Sequence, residues 1–335
     1  MNRTSRIAAL VIAGAMVVGC SSGGGASVAP STAAQSNAPS AAAPSAADKV
    51  VIGFSQANGG DEWRVNQTNN VRDHCAKEVP GAEVIITDAQ GDDAKQSADI
   101  DDMIARGIDV LLLTPNTAAA LTPAAKRALD AKIPVITLDR GVDVEVTQHI
   151  GADNKLIGKT AAEYVSKTIL KGAGGKVIEI QGTTGASATV DRNEQFVAWL
   201  KANDPKVEIV ASQTADYKRD QALVVMNDFL QRFGPGEASV IYTHNDAMAL
   251  GVVQALETAN RLKEFTVVGI DGQNEAIQAI KDGKIAVTFT YDNAGKEACQ
   301  SAAKLIKGGT IDKQWVLPTN TIDAGNVDEW IGKGF

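Results

Sequence analysis

The chain is short of the residues that most chemistry needs. Three His, three Cys and 4% Phe, Trp and Tyr in 335 residues leave little material for a metal or nucleophilic centre. His74, His149 and His244 are scattered without paired metal-ligand spacing, and read as a helix-face, a strand-edge and a loop residue. Neither Cys75 nor Cys299 has a His-bearing motif around it, which argues against a nucleophilic thiol. No Ser-His-Asp or paired-carboxylate arrangement can be placed. Positive charge is scarce as well: 32 Lys and Arg against 40 Asp and Glu give a formal charge of -8, with no basic cluster. That speaks against nucleic acid or an anionic membrane surface as partner. Beyond the first 20 residues no apolar run approaches the ~20 residues of a membrane helix. Nothing in this inventory asks for a metal or a cofactor.

What is present begins with a leader. Arg3 and Arg6 make a positive start, Ile7 to Val18 is an apolar stretch too short to span a membrane, and Val17-Val18-Gly19-Cys20 follows. This ending resembles the lipobox of bacterial lipoproteins, which implies cleavage after residue 19 and lipidation of Cys20. An ordinary secretory signal with a cysteine near its cleavage site is the alternative. Either way the mature chain is exported. Losing Arg3 and Arg6 takes the formal charge from -8 to -10. Residues 20–47 are rich in Ser, Ala, Gly and Pro, without charge or aromatic residues from Ser21 to Ala47. Such a segment buries too little apolar surface to offset its ordering entropy, so a flexible tether is expected. About 285 residues remain, enough for two lobes. In an exported protein Cys75 and Cys299 are either a disulfide or two buried thiols.

From Val50 onward short apolar strands alternate with amphipathic helices. The centre of the pattern is Ile133-Pro134-Val135-Ile136-Thr137-Leu138-Asp139-Arg140, an apolar run opened by Pro and ended by a carboxylate and a guanidinium. It reads as a strand buried on both faces. Strict alternation of strand and helix implies parallel, doubly wound sheets. A second series starts after Gly151, so the chain is expected to be α/β with two such lobes and a cleft between their strand ends. In open α/β sheets ligands collect outside the carboxyl ends of strands. Asp139-Arg140, Asp191-Arg192, Asp216-Tyr217, Asn245-Asp246 and Asp271-Gly272 all follow strands or strand-led loops. Singly each is an ordinary cap or turn residue; together they point into one cleft.

These motifs carry a resemblance. Ile133 to Arg140, Val177-Ile178-Glu179-Ile180-Gln181-Gly182, Asp191-Arg192, His244 to Gly251 and Gly269-Ile270-Asp271-Gly272 resemble, in order, periplasmic ribose-binding protein and its relatives. Gly53-Phe54-Ser55-Gln56 with Trp63-Arg64, Gln181 to Ser187 and Lys333-Gly334-Phe335 lean toward the galactofuranose-binding branch. The resemblance spans nearly all of Asp48 to Phe335. It implies an extracytoplasmic, monomeric receptor that closes on a sugar and delivers it to an ABC permease, without catalysis. Lobes of 48–152 plus 292–320 and 153–291 plus 321–335 are implied, joined by three crossovers near Gly151–Asp153, Tyr291–Asn293 and Thr319–Thr321. The contacts it implies are Gln56, Trp63, Arg64, Asp139, Arg140, Arg192, Tyr217, Asn245, Asp271 and Tyr291. Trp63-Arg64 and Tyr291 depart from the ribose pattern, where two aromatics and a Gln stand.

Chemistry independently fits a polyol. Ring hydroxyls both donate and accept, so they need carboxylates beside guanidinium or amide groups. Trp63 and Tyr217 are suited to the apolar faces of a sugar ring. Arg64, Arg140 and Arg192 against Asp139 and Asp271 leave one surplus positive charge, which nearby Asp61 or Asp216 would cancel. Near balance favours a neutral ligand, because an unpaired buried charge is costly; a sugar acid stays open. A sugar-sensing receptor for a membrane signalling partner, or a glycan-modifying enzyme using Asp139 or Asp271, are the alternatives. Gly158-Lys159-Thr160 fails as a phosphate loop, since Gly151 stands two residues too far away.

Overall fold

The computed structural model describes residues 49–335. The leader 1–19, the tether 20–47 and Cys20 lie outside the described residues. In chain order β1 (Val51–Gln56), α1 (Glu62–Glu78), β2 (Glu83–Asp88), α2 (Asp93–Ala105), β3 (Val110–Leu113), α3 (Ala118–Asp130) and β4 (Val135–Leu138) alternate, and β5 (Gln148–Ala152) follows β4 with no helix between them. The pattern repeats as α4 (Asn154–Tyr164), β6 (Gly175–Gln181), α5 (Ser187–Asn203), β7 (Val207–Thr214), α6 (Arg219–Arg232), β8 (Val240–Thr243), α7 (Asp246–Thr258), β9 (Thr266–Val268), α8 (Asn274–Lys281) and β10 (Val287–Phe289). Then α9 (Gly295–Ile306), β11 (Gln314–Leu317) and β12 (Thr321–Asp323) follow.

Two six-stranded sheets result, ordered β11-β5-β4-β3-β1-β2 and β12-β10-β9-β8-β6-β7. Each reverses its winding beside its first strand, which opens a crevice at the carboxyl edge. The interior strands show why the apolar runs exist. All four residues of β3 and of β4 are buried, as expected of strands covered on both faces by helices. On the second sheet Phe196 of α5 stacks on Tyr242 of β8, with ring centroids 4.1 Å apart. The chain passes between sheets three times: after β5, between β10 and α9, and between β11 and β12. The last follows because β11 pairs with β5 in one sheet and β12 with β10 in the other.

Some details differ from the sequence expectation. The final strand β12 runs antiparallel to β10, so the second sheet is not wholly parallel. β9 stops at Val268, and beyond it the chain stays beside β10 only through single bonds, Gly269 N–H to the Val287 carbonyl and Asp271 N–H to the Phe289 carbonyl, with an isolated bridge from Asp271 to Thr290. The helix that begins the second series ends its α-form at Tyr164 and continues as a π-turn over Val165–Ile169. Gly158-Lys159-Thr160 lies inside α4, a helix and not a phosphate loop. His149 is on β5, which has neighbours on both sides and is no edge.

Cys75 of α1 and Cys299 of α9 form a disulfide, with Cα atoms 4.7 Å apart and a sequence separation of 224. It ties the helix that begins with Trp63 and Arg64 to the one that follows the second passage. Closing so long a loop restricts the unfolded chain. The double variant C75A/C299A should lose about 2–5 kcal/mol of stability, read from urea midpoints with and without reductant. Identical midpoints would show that the bond contributes nothing.

Candidate functional site

Every polar residue of interest follows a strand. Trp63 and Arg64 open α1 after β1, and Asp139 and Arg140 follow β4. Arg192 is on α5 after β6, Tyr217 follows β7, Asn245 follows β8, Asp271 follows β9 and Tyr291 follows β10. These nine residues, with Asp61 and Ala188, enclose a cavity of about 30 Å³ between the lobes. That is room for about one water molecule, so anything larger enters only if the lobes part. An open groove of about 890 Å³ runs along the mouth and shares Asp61, Trp63, Asn245 and Asp271 with the cleft.

Asp139 is the hub. Its carboxylate lies 2.7 Å from Arg64 Nη2 and 3.7 Å from Arg140 Nε. It accepts a 2.6 Å hydrogen bond from the Tyr291 hydroxyl. Burial pushes the Asp139 carboxyl up, but Arg64, Arg140, the Tyr291 bond and Arg192 outweigh it and hold the group below its ordinary value. Tyr291 sits on the second passage between lobes. Its hydroxyl also accepts from Asn154 Nδ2 at 3.0 Å, and Asn154 Oδ1 accepts from Arg192 Nε at 2.8 Å. One chain of bonds thus runs from Arg64 in the first lobe to Arg192 in the second.

The aromatic rings brace the cations. The Arg192 guanidinium lies 4.5 Å from the Tyr291 ring, and that of Arg140 lies 5.3 Å from the Tyr217 ring, within cation–π range. Trp63 donates its indole N–H to the Tyr291 carbonyl at 3.0 Å. Tyr217 stands where it does because Gly182 has no side chain: a Cβ there would meet the ring at 2.0 Å. The Tyr217 hydroxyl shares a 2.8 Å hydrogen bond with Thr189.

Sequence reasoning and geometry part at several residues. Gln56 does not line the cleft. It donates to Gln67 Oε1 at 2.9 Å, and Gln67 accepts from Arg64 Nη1 at 3.2 Å, so Gln56 stands one step behind the wall. Asn245 lines the cleft but spends its side chain locally, capping α7 by accepting from Met248 N and donating to the Tyr217 carbonyl. Nothing in the sequence singles out Asn154, whose position at a helix start conceals a bond to Tyr291, 137 residues away. Asp61, weighed only as a neighbour, is a wall residue. It also caps α1 by accepting from Arg64 N at 2.8 Å, a role its place before the helix signals.

A buried cluster supports Arg192 from behind. His244, which follows β8, accepts from Arg192 Nη1 through its carbonyl. Its ring lies 3.0 Å from Glu179 of β6, and Glu179 also accepts from Asn193 and Ser212. Burial pushes Glu179 up, yet His244, Asn193 and Ser212 together bring it down to about 2. Burial pushes His244 down, opposed by Glu179.

Comparison with known proteins gives the same architecture. A family model described as periplasmic binding protein domain matches residues 52–310. The ribose import binding protein RbsB of Escherichia coli K12 is 38% identical over 251 residues, covering 73% of this chain and 82% of that protein. The crystal structure of a galactofuranose binding protein superposes with a TM-score of 0.80 at 29% identity, covering 85% of this chain and 98% of that one. The myo-inositol binding protein of Caulobacter, solved with myo-inositol, gives 0.78 at 31%, covering 85% and 97%. Among the described residues no helix is long and apolar enough to cross a membrane, and no group of three or more His, Cys, Asp or Glu is placed to hold a metal ion.

The Glu179 cluster has a pH signature. A carboxyl whose folded value lies below its ordinary 4.5 stabilises the fold fully above 4.5, and loses that contribution as pH falls toward 2. The parent chain should therefore lose about 3 kcal/mol more than Glu179→Gln between pH 4.5 and 2. Parallel stability curves for the two proteins over that window would refute the assignment.

Proposed function

The chain belongs to the periplasmic binding protein domain family, and from that premise we propose that it captures a neutral monosaccharide or related polyol. The ligand lies between the lobes, which close over it by bending at the three passages, and the closed form hands it to the permease of an ABC importer. The family's place is outside the cytoplasm. We read the chain as a monomer held to the membrane by lipid on Cys20, with its lobes divided at 152–153, 291–292 and 320–321.

The observation that carries this reading is the balance of the cleft wall. Arg64, Arg140 and Arg192 face Asp61, Asp139 and Asp271, three cations against three acids. The +1 surplus counted from sequence disappears once Asp61 joins the wall. A balanced wall supports a neutral ligand, since a charged one would add an uncompensated buried charge. Burial and the charge of Asp246 push Asp271 well up, and burial raises Asp61, each against a neighbouring arginine. Hydroxyl donors of a bound sugar would favour the ionised form. Guanidinium donors and carboxylate acceptors together match a ring hydroxyl, which needs one of each. Trp63, Tyr217 and Tyr291 offer apolar faces for ring C–H bonds. The ribose, galactofuranose and myo-inositol of the compared proteins are all polyhydroxylated and uncharged.

A thermal-shift screen tests the reading with D-ribose, D-galactose, D-fructose, L-arabinose, myo-inositol, D-galacturonate and D-gluconate. At least one neutral member should raise the melting temperature; a ligand at 100 times its Kd adds about 2.7 kcal/mol. The two acids should trail. A screen in which only the acids bind, or in which a saccharide is chemically converted, would end the proposal.

Substitutions place the site. Arg192→Ala and Asp139→Ala should each lose several kcal/mol of binding free energy by calorimetry, because each leaves a buried partner unpaired. Lys304→Ala, exposed on α9, should bind as the parent does. Equal losses in all three would contradict the placement of the cleft.

A further inference from the structure

Asp246 lines neither the cleft nor the groove at its mouth, yet it is wholly buried. It is the first residue of α7, directly after the wall residue Asn245. Its carboxylate accepts from three donors in one small region. Oδ2 accepts from the backbone N–H of Gly272 at 2.8 Å and of Gln273 at 2.9 Å. The Thr288 hydroxyl lies 2.7 Å from Oδ1 and 2.9 Å from Oδ2. Space for it exists because residue 269 is glycine: a Cβ there would lie 2.2 Å from Asp246 Oδ1.

The turn that these bonds hold is strained. Asp271 has φ +132°, a region that L side chains rarely occupy. Such a conformation persists only where its surroundings over-determine it. Strand β10 supplies part of the restraint, since Asp271 N–H donates to the Phe289 carbonyl and Tyr291 N–H to the Asp271 carbonyl. These bonds fix residue 271 on one side only. Asp246 fixes the next two residues. The outcome is functional on both: the Asp271 carboxylate lines the cleft, and the Gln273 amide donates to Glu62 on α1, in the opposite lobe.

We propose that Asp246 is a positioning residue for sugar binding: by clamping residues 272 and 273 it aims Asp271 at the ligand and Gln273 at the facing lobe. The proposal rests on the sugar-binding reading above. A carboxylate is required because two amides and a hydroxyl must be accepted at once. An asparagine offers a single acceptor oxygen and turns an NH₂ toward groups that also donate.

Two measurements test it, and one does not depend on the ligand. In a crystal structure of Asp246→Asn, Asp271 should leave the positive φ region, with its carboxylate turned from the cleft. A turn that superposes on the parent's would overturn the proposal. The second is calorimetric titration with D-ribose, D-galactose, D-fructose and myo-inositol, using the one that binds the parent most tightly. Asp246→Asn should weaken it roughly tenfold to a hundredfold. Thr288→Val, which keeps the side-chain volume but removes one donor to Asp246, should weaken it less and serves if Asp246→Asn does not fold. In an Asp271→Asn/Gln273→Ala background either change should cost less than about twofold, because what it positions is gone. The same loss in both backgrounds would mean a merely structural role and sink the idea. If the parent binds none of the four sugars, the sugar reading fails, while the crystal structure still decides whether Asp246 holds the turn.

Discussion

The site depends on keeping one carboxylate charged in the interior. Asp139 is 3% exposed, and an isolated ion there would cost several kcal/mol. Arg64 and Arg140 stabilise it, but two guanidinia on one carboxylate leave a positive excess of their own. The excess is spread by rings and further acids: Trp63 lies under Arg64 at 4.7 Å, Tyr217 lies by Arg140, and Asp61 stands near both arginines. Each member is tolerable only because the others are present. A cleft built in this way is already paired within itself, and so remains polar without collapsing into an unfavourable state.

Backbone strain gathers at the same place. Asp139 has φ +64°, Asp216 +53°, Tyr217 +61° and Asp271 +132°, and three of these four residues line the cleft. Aspartate accepts left-handed backbone more readily than most residues, but a tyrosine there is uncommon. Strain of this sort costs of order 1–3 kcal/mol per residue. It is held by the sheets, whose buried strands present these turns as rigid endings. The fold therefore supplies to the site a store of conformations that a free loop would abandon.

This explains how much of the fold and of the site is legible in the residues alone. The strands were legible because β3 and β4 are unbroken apolar runs, and the strand ends because a parallel sheet leaves its polar residues there. Arg192 and Tyr217 followed from motif order. What escaped was anything decided by distance in space. Gln56 sits at a strand end like the wall residues, yet the side chain turns toward Gln67. Asn154 looks like a helix start, and only the fold brings Tyr291 and Arg192 to it. The charge of Asp61 could be counted, while its place in the wall could not. Whether Cys75 and Cys299 are joined was open for the same reason: 224 residues of chain say nothing of a 4.7 Å Cα separation. Antiparallel β12 carried no signal, since three residues are too few to show a direction.

The closed arrangement also shows what a ligand must supply. Besides the bonds made through Tyr291 at the second passage, three contacts cross the cleft without a ligand: Gly141 N–H donates to Ser187 Oγ at 2.9 Å, Ala118 N–H to the Gly185 carbonyl at 3.2 Å, and Gln273 to Glu62. The two neutral ones are worth about 1 kcal/mol net each and the one to the Glu62 carboxylate about 1.5–3 kcal/mol, a bias toward closure that competes with the freedom of two hinged bodies. A ligand shifts such an equilibrium only by its difference in affinity for the two states. With Asp139 and Arg64 in one lobe and Arg192 and Asp271 in the other, a ring that meets one lobe satisfies only some of its hydroxyls. On the proposed reading the remaining bonds form only on closure, and that difference is the ligand's leverage. Moving the population from 1:99 to 99:1 needs about 5.5 kcal/mol of differential binding, a few charge-assisted hydrogen bonds at 1.5–3 kcal/mol each. The second lobe's arginine and aspartate are of the right kind and number to provide it, which is why their positions matter more than the size of the cavity between them.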